Sequence, residues 1–171
     1  MNSTAKTKAV FLDRDDTINK DFGYVYKVSD LVFLDGATEG IKLFNKKGYL
    51  VFVISNQSAV GRGYCSMESV ENFNNEMIKQ LADKGAIVSK IYICTHTPED
   101  NCECRKPKTA LFLQAVKEFN IDIAQSYAIG DKERDITGLI ELGAKGAIVG
   151  KVSDKYPHFK NLKEVAQLFV K

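Results

Sequence analysis

The chain has 171 residues, of which 44% are hydrophobic and 27% charged, and its net charge is +2. This length and composition predict a single globular domain over residues 1–171, and the small, evenly spread charge argues against a nucleic-acid or membrane-surface partner. No signal peptide or transmembrane run is visible, so we expect a cytoplasmic protein, with a monomer as the default.

The first predicted element is a buried strand, Val10–Leu12, which ends directly in the carboxylates of Asp13, Asp15 and Asp16. Ligands of open parallel sheets bind beyond the carboxyl ends of the strands, where these acids lie. Alternation along an extended chain points Asp13 and Asp15 to the same side. Two converging carboxylates repel each other unless a cation lies between them, so Mg²⁺ is the expected ligand. The alternative is a plain polar turn, because Asp is favoured in turns.

A second buried strand is predicted over residues 49–54, the strongest apolar run in the chain. Before it, residues 18–36 are rich in loop and turn residues and form a segment able to fold over the acids as a flap. A helix is expected over residues 37–47, with Gly48 as its cap.

Polar residues follow this second strand, and they are Ser55, Asn56, Gln57 and Ser58. A hydroxyl and amides at the carboxyl end of a strand are suited to hold a phosphate oxygen. In the loop 59–63, two glycines let the backbone approach a ligand closely, and Arg62 between them supplies a charged fork. An ordinary polar loop is the alternative.

A helix is predicted over residues 67–84, with Ser66 as its N-cap, and a third strand over residues 87–94. A metal-binding loop is predicted to follow from the end of this strand. Its potential ligands are Cys94, His96, Cys102 and Cys104. Three thiolates and one imidazole match a closed, tetrahedral, structural zinc site with no open position for a catalytic water. Thiols without metal are the alternative, and Cys65 is interpreted as a plain small side chain.

Two cationic residues, Arg105 and Lys106, follow the last of these ligands directly. A zinc ion would fix the exit of this segment and aim both side chains into the site. A solvated loop cation is the alternative for Lys106. Thr109 then predicts the start of the next helix.

A fourth strand over residues 126–129 again leads to carboxylates, Asp131 and Asp135. Asp131 is suited to complete the oxygen shell of the metal, and Asp135 to make a contact behind it. After a further helix, a fifth strand is expected over residues 145–149 and a closing helix over residues 162–170. Alternating strands and helices predict an α/β fold with a doubly wound parallel sheet of about five strands.

With these residues in place, the chain resembles the haloacid dehalogenase superfamily of phosphotransferases. The motifs that carry this resemblance are, in order, Asp13-Arg-Asp15-Asp-Thr17, Ser55, Lys106, and Gly130-Asp131 with Asp135. More narrowly, it resembles the family of D-glycero-D-manno-heptose-1,7-bisphosphate 7-phosphatases, which shares a branch with bacterial histidinol-phosphate phosphatases. The narrower match rests on Ser55-Asn56-Gln57-Ser58, Gly61-Arg62-Gly63, and Cys94-x-His96 with Cys102-x-Cys104-Arg105-Lys106-Pro107. It covers about residues 9–150.

The resemblance implies a Mg²⁺-dependent phosphatase that acts through an aspartyl-phosphate. Asp13 would attack the phosphorus, and Asp15 would protonate the leaving alkoxide and then activate water. Mg²⁺ would be held by Asp13, the main-chain carbonyl of Asp15, and Asp131. Ser55 and Lys106 would hold the phosphoryl oxygens.

The resemblance also implies the substrate, a phosphorylated sugar and specifically the heptose bisphosphate used for cell-envelope saccharides. The residues implied to line it are Asp21, Phe22, Gly23, Tyr24, Asn56, Gln57, Ser58, Arg62, Arg105 and Lys132. The implied fold is Rossmann-like with no inserted cap domain, so three loops would choose the substrate. One departure is Asp16, where the family usually has Gly; this third carboxylate would repel a phosphate, so we expect it to point away.

Other functions remain open at this point. Histidinol phosphate or another small monoester would keep the chemistry and change the substrate, whereas the balanced charge argues against a phosphatase of nucleic-acid ends. A non-enzymatic phospho-acceptor domain would carry its accepting Asp after a middle strand, whereas Asp13 follows the first. An inactive relative is a further alternative because of Asp16.

Overall fold

The computed structural model describes residues 6–169, which form one sheet of six strands. In chain order the strands are β1 (Ala9–Leu12), β2 (Leu50–Asn56), β3 (Lys90–Cys94), β4 (Tyr127–Gly130), β5 (Lys145–Val149) and β6 (His158–Phe159). Every neighbouring pair is parallel, and the order across the sheet is β3-β2-β1-β4-β5-β6.

The predicted α/β class and the parallel sheet are confirmed, and the sheet has one strand more than the expected five. The additional strand, β6, consists of His158 and Phe159, which pair with Ile148 and Val149 of β5. Two residues are too short to show a hydrophobic period in the sequence. The third strand begins at Lys90, later than predicted.

Six α-helices connect and cover these strands in the described chain. They are α1 (Ala37–Lys46), α2 (Ser58–Gly61), α3 (Met67–Asp83), α4 (Ala110–Phe119), α5 (Glu133–Glu141) and α6 (Leu162–Phe169). Ser66 caps α3 as predicted, since its side chain accepts a hydrogen bond from the Ser69 amide. Thr109 precedes α4 but makes no such bond. Val170, the predicted end of the closing helix, lies outside the described residues, and α2 was not predicted.

Two hydrophobic cores lie on opposite faces of the sheet. Alternate residues of β1 divide between them, since Val10 and Leu12 belong to one core and Ala9 and Phe11 to the other. This division follows from the alternation of side chains along a strand that is buried on both faces. None of the described helices is both long enough and apolar enough to cross a membrane.

The direction of chain winding reverses at β1. The chain runs outward from β1 to β2 and β3, then returns to the other side of β1 and continues through β4 to β6. Beyond the strands, the Asp13 amide donates a hydrogen bond to the Ile129 carbonyl of β4 at 2.9 Å. Sheets of this kind bind ligands at such a reversal, beyond the carboxyl ends of the strands.

Candidate active site

Asp13 and Lys106 form the centre of the site at the carboxyl end of β1. The Lys106 ammonium lies 2.6 Å from Asp13 Oδ1 and 2.8 Å from Asp135 Oδ1, and it also donates to the Ile54 carbonyl at 2.5 Å. Lys106 is 2% exposed. It is therefore a buried cation held between two carboxylates, which contradicts the alternative of a solvated loop lysine.

The charges of this cluster depend on one another. Burial raises the pKa of the Asp13 carboxyl from 3.8 to about 7, the Asp135 charge adds to this effect, and Lys106 opposes it. Burial alone would lower the pKa of Lys106, but the charges of Asp13 and Asp135 outweigh it and raise that pKa. Lys106 therefore stays cationic between its two partners.

The main chain at Lys106 is fixed from two sides. Asn56 at the end of β2 accepts from the Lys106 amide at 3.0 Å and donates to the Lys106 carbonyl at 3.3 Å. The peptide between Lys106 and Pro107 is cis. On the other side, a Cβ added at Gly138 of α5 would lie 2.1 Å from the Pro107 carbonyl oxygen. Only glycine lets α5 approach this segment so closely.

Asp131 and Asp135 extend the site from the end of β4. Asp135 Oδ2 accepts from the Lys132 amide at 3.0 Å, which fixes it in the first turn of α5. A Cβ at Gly130 would lie 2.4 Å from Asp135 Cβ, so glycine is needed there as well. Asp131 Oδ2 accepts from the Lys151 ammonium at 2.5 Å.

The acidic residues of the site fit a divalent cation. The Asp13, Asp131 and Asp135 carboxylates each offer an oxygen atom within 4.8 Å of the others. Asp131 Oδ1 is buried and has no hydrogen-bond partner among residues 6–169, and leaving such an atom unsatisfied is costly. Carboxylate oxygens of this kind suit Mg²⁺. The side chain of Asp15 is not part of this group, so its proposed metal contact remains the main-chain carbonyl that the resemblance implies.

The Asp15 carboxylate accepts hydrogen bonds from three side chains, those of Arg14, Asn19 and Gln57. Arg14 donates to it through Nε and Nη2, each at 3.1 Å. Asn19 Nδ2 donates at 3.0 Å and Gln57 Nε2 at 2.8 Å. Asp15 lines a cavity of about 300 Å³ above Asp13.

This cavity gathers almost all of the predicted substrate residues. Its lining residues are Asp13, Asp15, Asp21, Gly23, Tyr24, Asn56, Gln57, Ser58, Arg62, Arg105, Lys132, Arg134 and Asp135. Phe22 is not among them, and 58% of it is exposed. Ser55 is buried beside the cavity, where its hydroxyl accepts from Gln57 Nε2 at 2.7 Å.

Arg134 is a lining residue that the sequence analysis missed. It lies in the first turn of α5, between Asp131 and Asp135 in the sequence. Its signal in the sequence is its position three residues after Asp131, in the segment that begins a helix at the end of a strand.

Asp16 turns away from this cavity. It lines a neighbouring cavity of about 340 Å³, and its Oδ1 accepts from the Asp21 amide at 2.9 Å. Its φ of 55° is the left-handed conformation that Asp tolerates better than most residues. The carboxylate is thus used locally to fix the start of the flap.

Cys94, His96, Cys102 and Cys104 also come together. Cys94 Sγ lies 3.6 Å from Cys102 Sγ, and Cys104 Sγ lies 3.5 Å from Cys102 Sγ and 3.2 Å from His96 Nδ1. In a tetrahedral site with Zn–S bonds of about 2.3 Å, sulfur atoms are about 3.8 Å apart. The donor set fits zinc, although Cys94 Sγ and Cys104 Sγ lie 2.9 Å apart, closer than two zinc-bound sulfur atoms.

Arg105 links this Cys/His cluster to the cavity. Its Nη1 donates to the His96 carbonyl at 3.1 Å, and its side chain lines the cavity above Asp13. The position of the Arg105 guanidinium therefore depends on the conformation of the loop that the cluster would close.

Comparisons with known proteins agree with this geometry. The model of the haloacid dehalogenase-like hydrolase family matches residues 4–143. A D-glycero-beta-D-manno-heptose-1,7-bisphosphate 7-phosphatase of Haemophilus ducreyi is 42% identical over 83% of this chain and 82% of its own. A D-glycero-alpha-D-manno-heptose-1,7-bisphosphate 7-phosphatase of Campylobacter jejuni is 39% identical over 96% of each chain.

A solved structure is similar over nearly the whole fold. It is the D,D-heptose 1,7-bisphosphate phosphatase from B. bronchiseptica, complexed with magnesium and phosphate, which superposes with a TM-score of 0.86 at 25% sequence identity. The alignment covers 94% of this chain and 97% of that one.

Proposed function

The chain belongs to the haloacid dehalogenase-like hydrolases, and on that basis we propose that it is a Mg²⁺-dependent phosphatase that removes the 7-phosphate of D-glycero-D-manno-heptose 1,7-bisphosphate. The observation that carries the proposal is the cavity above Asp13, in which this partly buried carboxylate faces a rim of cationic side chains. Similarity to the named heptose bisphosphate phosphatases, over most of the chain, supports the substrate.

In the first step, Asp13 attacks the phosphorus of the 7-phosphate. A bond forms between an Asp13 oxygen and phosphorus while the bond from phosphorus to the sugar oxygen breaks, and Asp15 donates a proton to that oxygen. Lys106 and Ser55 hold the phosphoryl oxygens as their charge redistributes. The contact of Lys106 with Asp13 supports this role, because it keeps the cation beside the attacking oxygen.

In the second step, water hydrolyses the phosphorylated Asp13. Asp15 accepts a proton from water as the water oxygen bonds to phosphorus and the bond to Asp13 breaks, which gives inorganic phosphate and free Asp13. The same carboxylate thus acts as acid and then as base. Its position on the cavity wall is consistent with both tasks.

Two metals complete the proposal. Mg²⁺, held by Asp13, Asp131 and the Asp15 carbonyl, would offset the charge of the transferred group, with Asp135 as a further acidic neighbour. Zn²⁺ on Cys94, His96, Cys102 and Cys104 would be structural, because four protein ligands leave no open position.

The cationic rim accounts for a substrate with two phosphates. Arg62, Arg105, Lys132 and Arg134 line the cavity together with Asp13. One phosphate at Asp13 leaves these cations to pair with the second phosphate, at the other end of the sugar. Asp21, Gly23, Tyr24, Asn56, Gln57 and Ser58 would contact the sugar between them, whereas the exposure of Phe22 makes it a weaker candidate. The two named relatives act on opposite anomers, so the anomer is left to experiment.

The remaining parts of the proposal concern the setting of the enzyme. We propose a monomer of one domain in the cytoplasm, acting on a small substrate in the biosynthesis of envelope heptose, without a nucleic-acid or membrane partner. The small net charge supports the absence of a polyanionic partner.

The test is phosphate release in the presence of Mg²⁺ from the α and β anomers of heptose 1,7-bisphosphate and from histidinol phosphate. We expect release from one heptose anomer, and none from an Asp13→Asn variant. Preference for histidinol phosphate would keep the chemistry and refute the substrate. No release from any of the three would refute the proposed function.

A further inference from the structure

Arg14 lies between Asp13 and Asp15, directly after β1, yet its side chain is fully buried. A buried guanidinium is costly unless its donors are paired. Here Nη1 donates to Asn74 Oδ1 at 3.0 Å, and Nη2 donates to the Val25 carbonyl at 2.6 Å. Nε and Nη2 donate to the two oxygens of Asp15, so all three guanidinium nitrogens are hydrogen-bonded.

These contacts connect Asp15 to two other elements. Asn74 belongs to α3, whose Phe73 ring lies 4.5 Å from the guanidinium carbon, so Arg14 is anchored to that helix. Val25 lies in the flap, residues 18–36, directly after the lining residues Asp21, Gly23 and Tyr24. Arg14 thus joins α3, the flap and the Asp15 carboxylate in one rigid arrangement.

We propose that Arg14, anchored by Asn74, is a positioning residue that holds the Asp15 carboxylate where it can take a proton from the water that hydrolyses phosphorylated Asp13. The inference rests on the proposed function. It follows from geometry, because a base must lie within hydrogen-bond reach of the proton it removes. A displacement of about 1 Å can cost a factor of about 100 in rate.

The anchor at Asn74 makes this testable without touching a group that contacts substrate. Asn74→Leu removes the acceptor for Arg14, whereas Asn74→Asp keeps an acceptor oxygen in the same place. Arg14→Lys keeps the charge and removes the fork. Asn45 gives a control, since it also lies on a helix and its side chain bonds to the backbone of Ile87, which precedes β3, whereas Asp15 follows the carboxyl end of β1.

The experiment is pre-steady-state hydrolysis of p-nitrophenyl phosphate with Mg²⁺. Nitrophenolate leaves without protonation, so phosphorylation of Asp13 needs no acid, and only the second step needs Asp15 as base. We expect Asn74→Leu and Arg14→Lys to release the first equivalent of nitrophenolate at the wild-type rate. Their steady-state rates should then fall about tenfold and about a hundredfold.

Asn74→Asp should stay within about threefold of wild type and Asn45→Ala should match it, with melting temperatures measured for all variants. Should Arg14→Lys fail to fold, the two Asn74 variants carry the test. An unchanged steady-state rate in Asn74→Leu would overturn the inference. The inference would also be overturned if Asn74→Leu and Asn45→Ala lost equal fractions of the steady-state rate in proportion to a fall in melting temperature.

The same assay separates this inference from the proposed substrate. If the wild-type enzyme hydrolyses p-nitrophenyl phosphate but not heptose bisphosphate, the proposed substrate is wrong. The pre-steady-state experiment still decides the role of Arg14. If it hydrolyses neither, the aspartyl-phosphate chemistry is wrong and the role of Arg14 falls with it.

Discussion

The ammonium of Lys106 lies 2.6 Å from Asp13 Oδ1, although 93 positions separate the two residues in the chain. The same ammonium bonds to Asp135 and to a carbonyl of β2. One side chain therefore compensates two carboxylates, the partly buried Asp13 after β1 and the buried Asp135 in α5. Both activity and stability should depend on it.

Lys106→Met should reduce phosphate release by a factor of about 100 or more, because the transferred group loses its cation. It should also lower the free energy of unfolding by about 3 kcal/mol, since the buried Asp135 and the partly buried Asp13 lose their cationic partner. Urea denaturation and a phosphate assay measure the two effects. The matched control is Lys108→Met, which removes an exposed pair with Glu103 and a 3.5 Å hydrogen bond to the Asn101 carbonyl, and should cost less than about 1 kcal/mol. Equal behaviour of the two variants would contradict the role of Lys106.

The raised pKa of Asp13 predicts how stability varies with pH in metal-free protein. The folded protein holds this proton up to about pH 7, whereas the unfolded chain loses it near 3.8. Between these values the folded state binds more protons than the unfolded state, so stability should fall as pH rises through this window. Urea midpoints measured from pH 4 to pH 8 in EDTA test this, and Asp13→Asn should flatten the dependence. If the part of the stability that depends on Asp13 rises with pH instead, the raised pKa of Asp13 is wrong.

Lys151 should weaken the binding of Mg²⁺. Its ammonium bonds to Asp131 Oδ2 and so competes with a cation for the same carboxylate. Lys151→Met should tighten Mg²⁺ binding about fivefold to tenfold in calorimetry, because a nearby like charge is removed. Lys160→Met is the control, since Lys160 lines the same neighbouring cavity. Weaker binding in Lys151→Met would mean that the lysine orients Asp131 instead.

Loss of zinc from the proposed site on Cys94, His96, Cys102 and Cys104 should weaken substrate binding more than it slows the chemical steps. Cys104→Ser should lose bound zinc, measured by mass spectrometry of the metal, and free the loop that fixes Arg105 through the His96 carbonyl. We expect KM for the bisphosphate to rise about tenfold with a smaller change in kcat, because Arg105 is expected to bind the distant phosphate. Cys65→Ser should keep the zinc and the kinetics of the wild type.

The sheet was predictable because parallel strands are apolar on both faces, and the runs at Val10–Leu12 and 49–54 show this directly. The approach of Asp13 and Asp131 was predictable for a related reason, since the carboxyl ends of such strands meet at one edge. Lys106 lies in a loop, and its place in the site was predicted from its position after the expected zinc ligands and from the family resemblance. The two-residue strand β6 lacks the length to produce a pattern.

Contacts between long side chains near the strand ends and residues of other elements were not predictable. Arg14 follows Asp13 in the sequence and looks like a spacer between two acids, yet its fork reaches Asn74, a residue 60 positions away. Lys151 lies after the fifth strand in a segment with no motif, and only the folded sheet brings it to Asp131. Such contacts depend on the twist and spacing of neighbouring strands, which hydrophobic periodicity does not encode.

The central position of β1 has a consequence for the order in which a growing chain becomes an enzyme. Asp13, the proposed nucleophile, directly follows β1, but the neighbouring strand β4 begins only at Tyr127. A nascent chain that stops before this strand carries Asp13 and Lys106 without Asp131 or Asp135. Catalysis therefore cannot begin gradually during synthesis, because it requires β4 to dock beside β1.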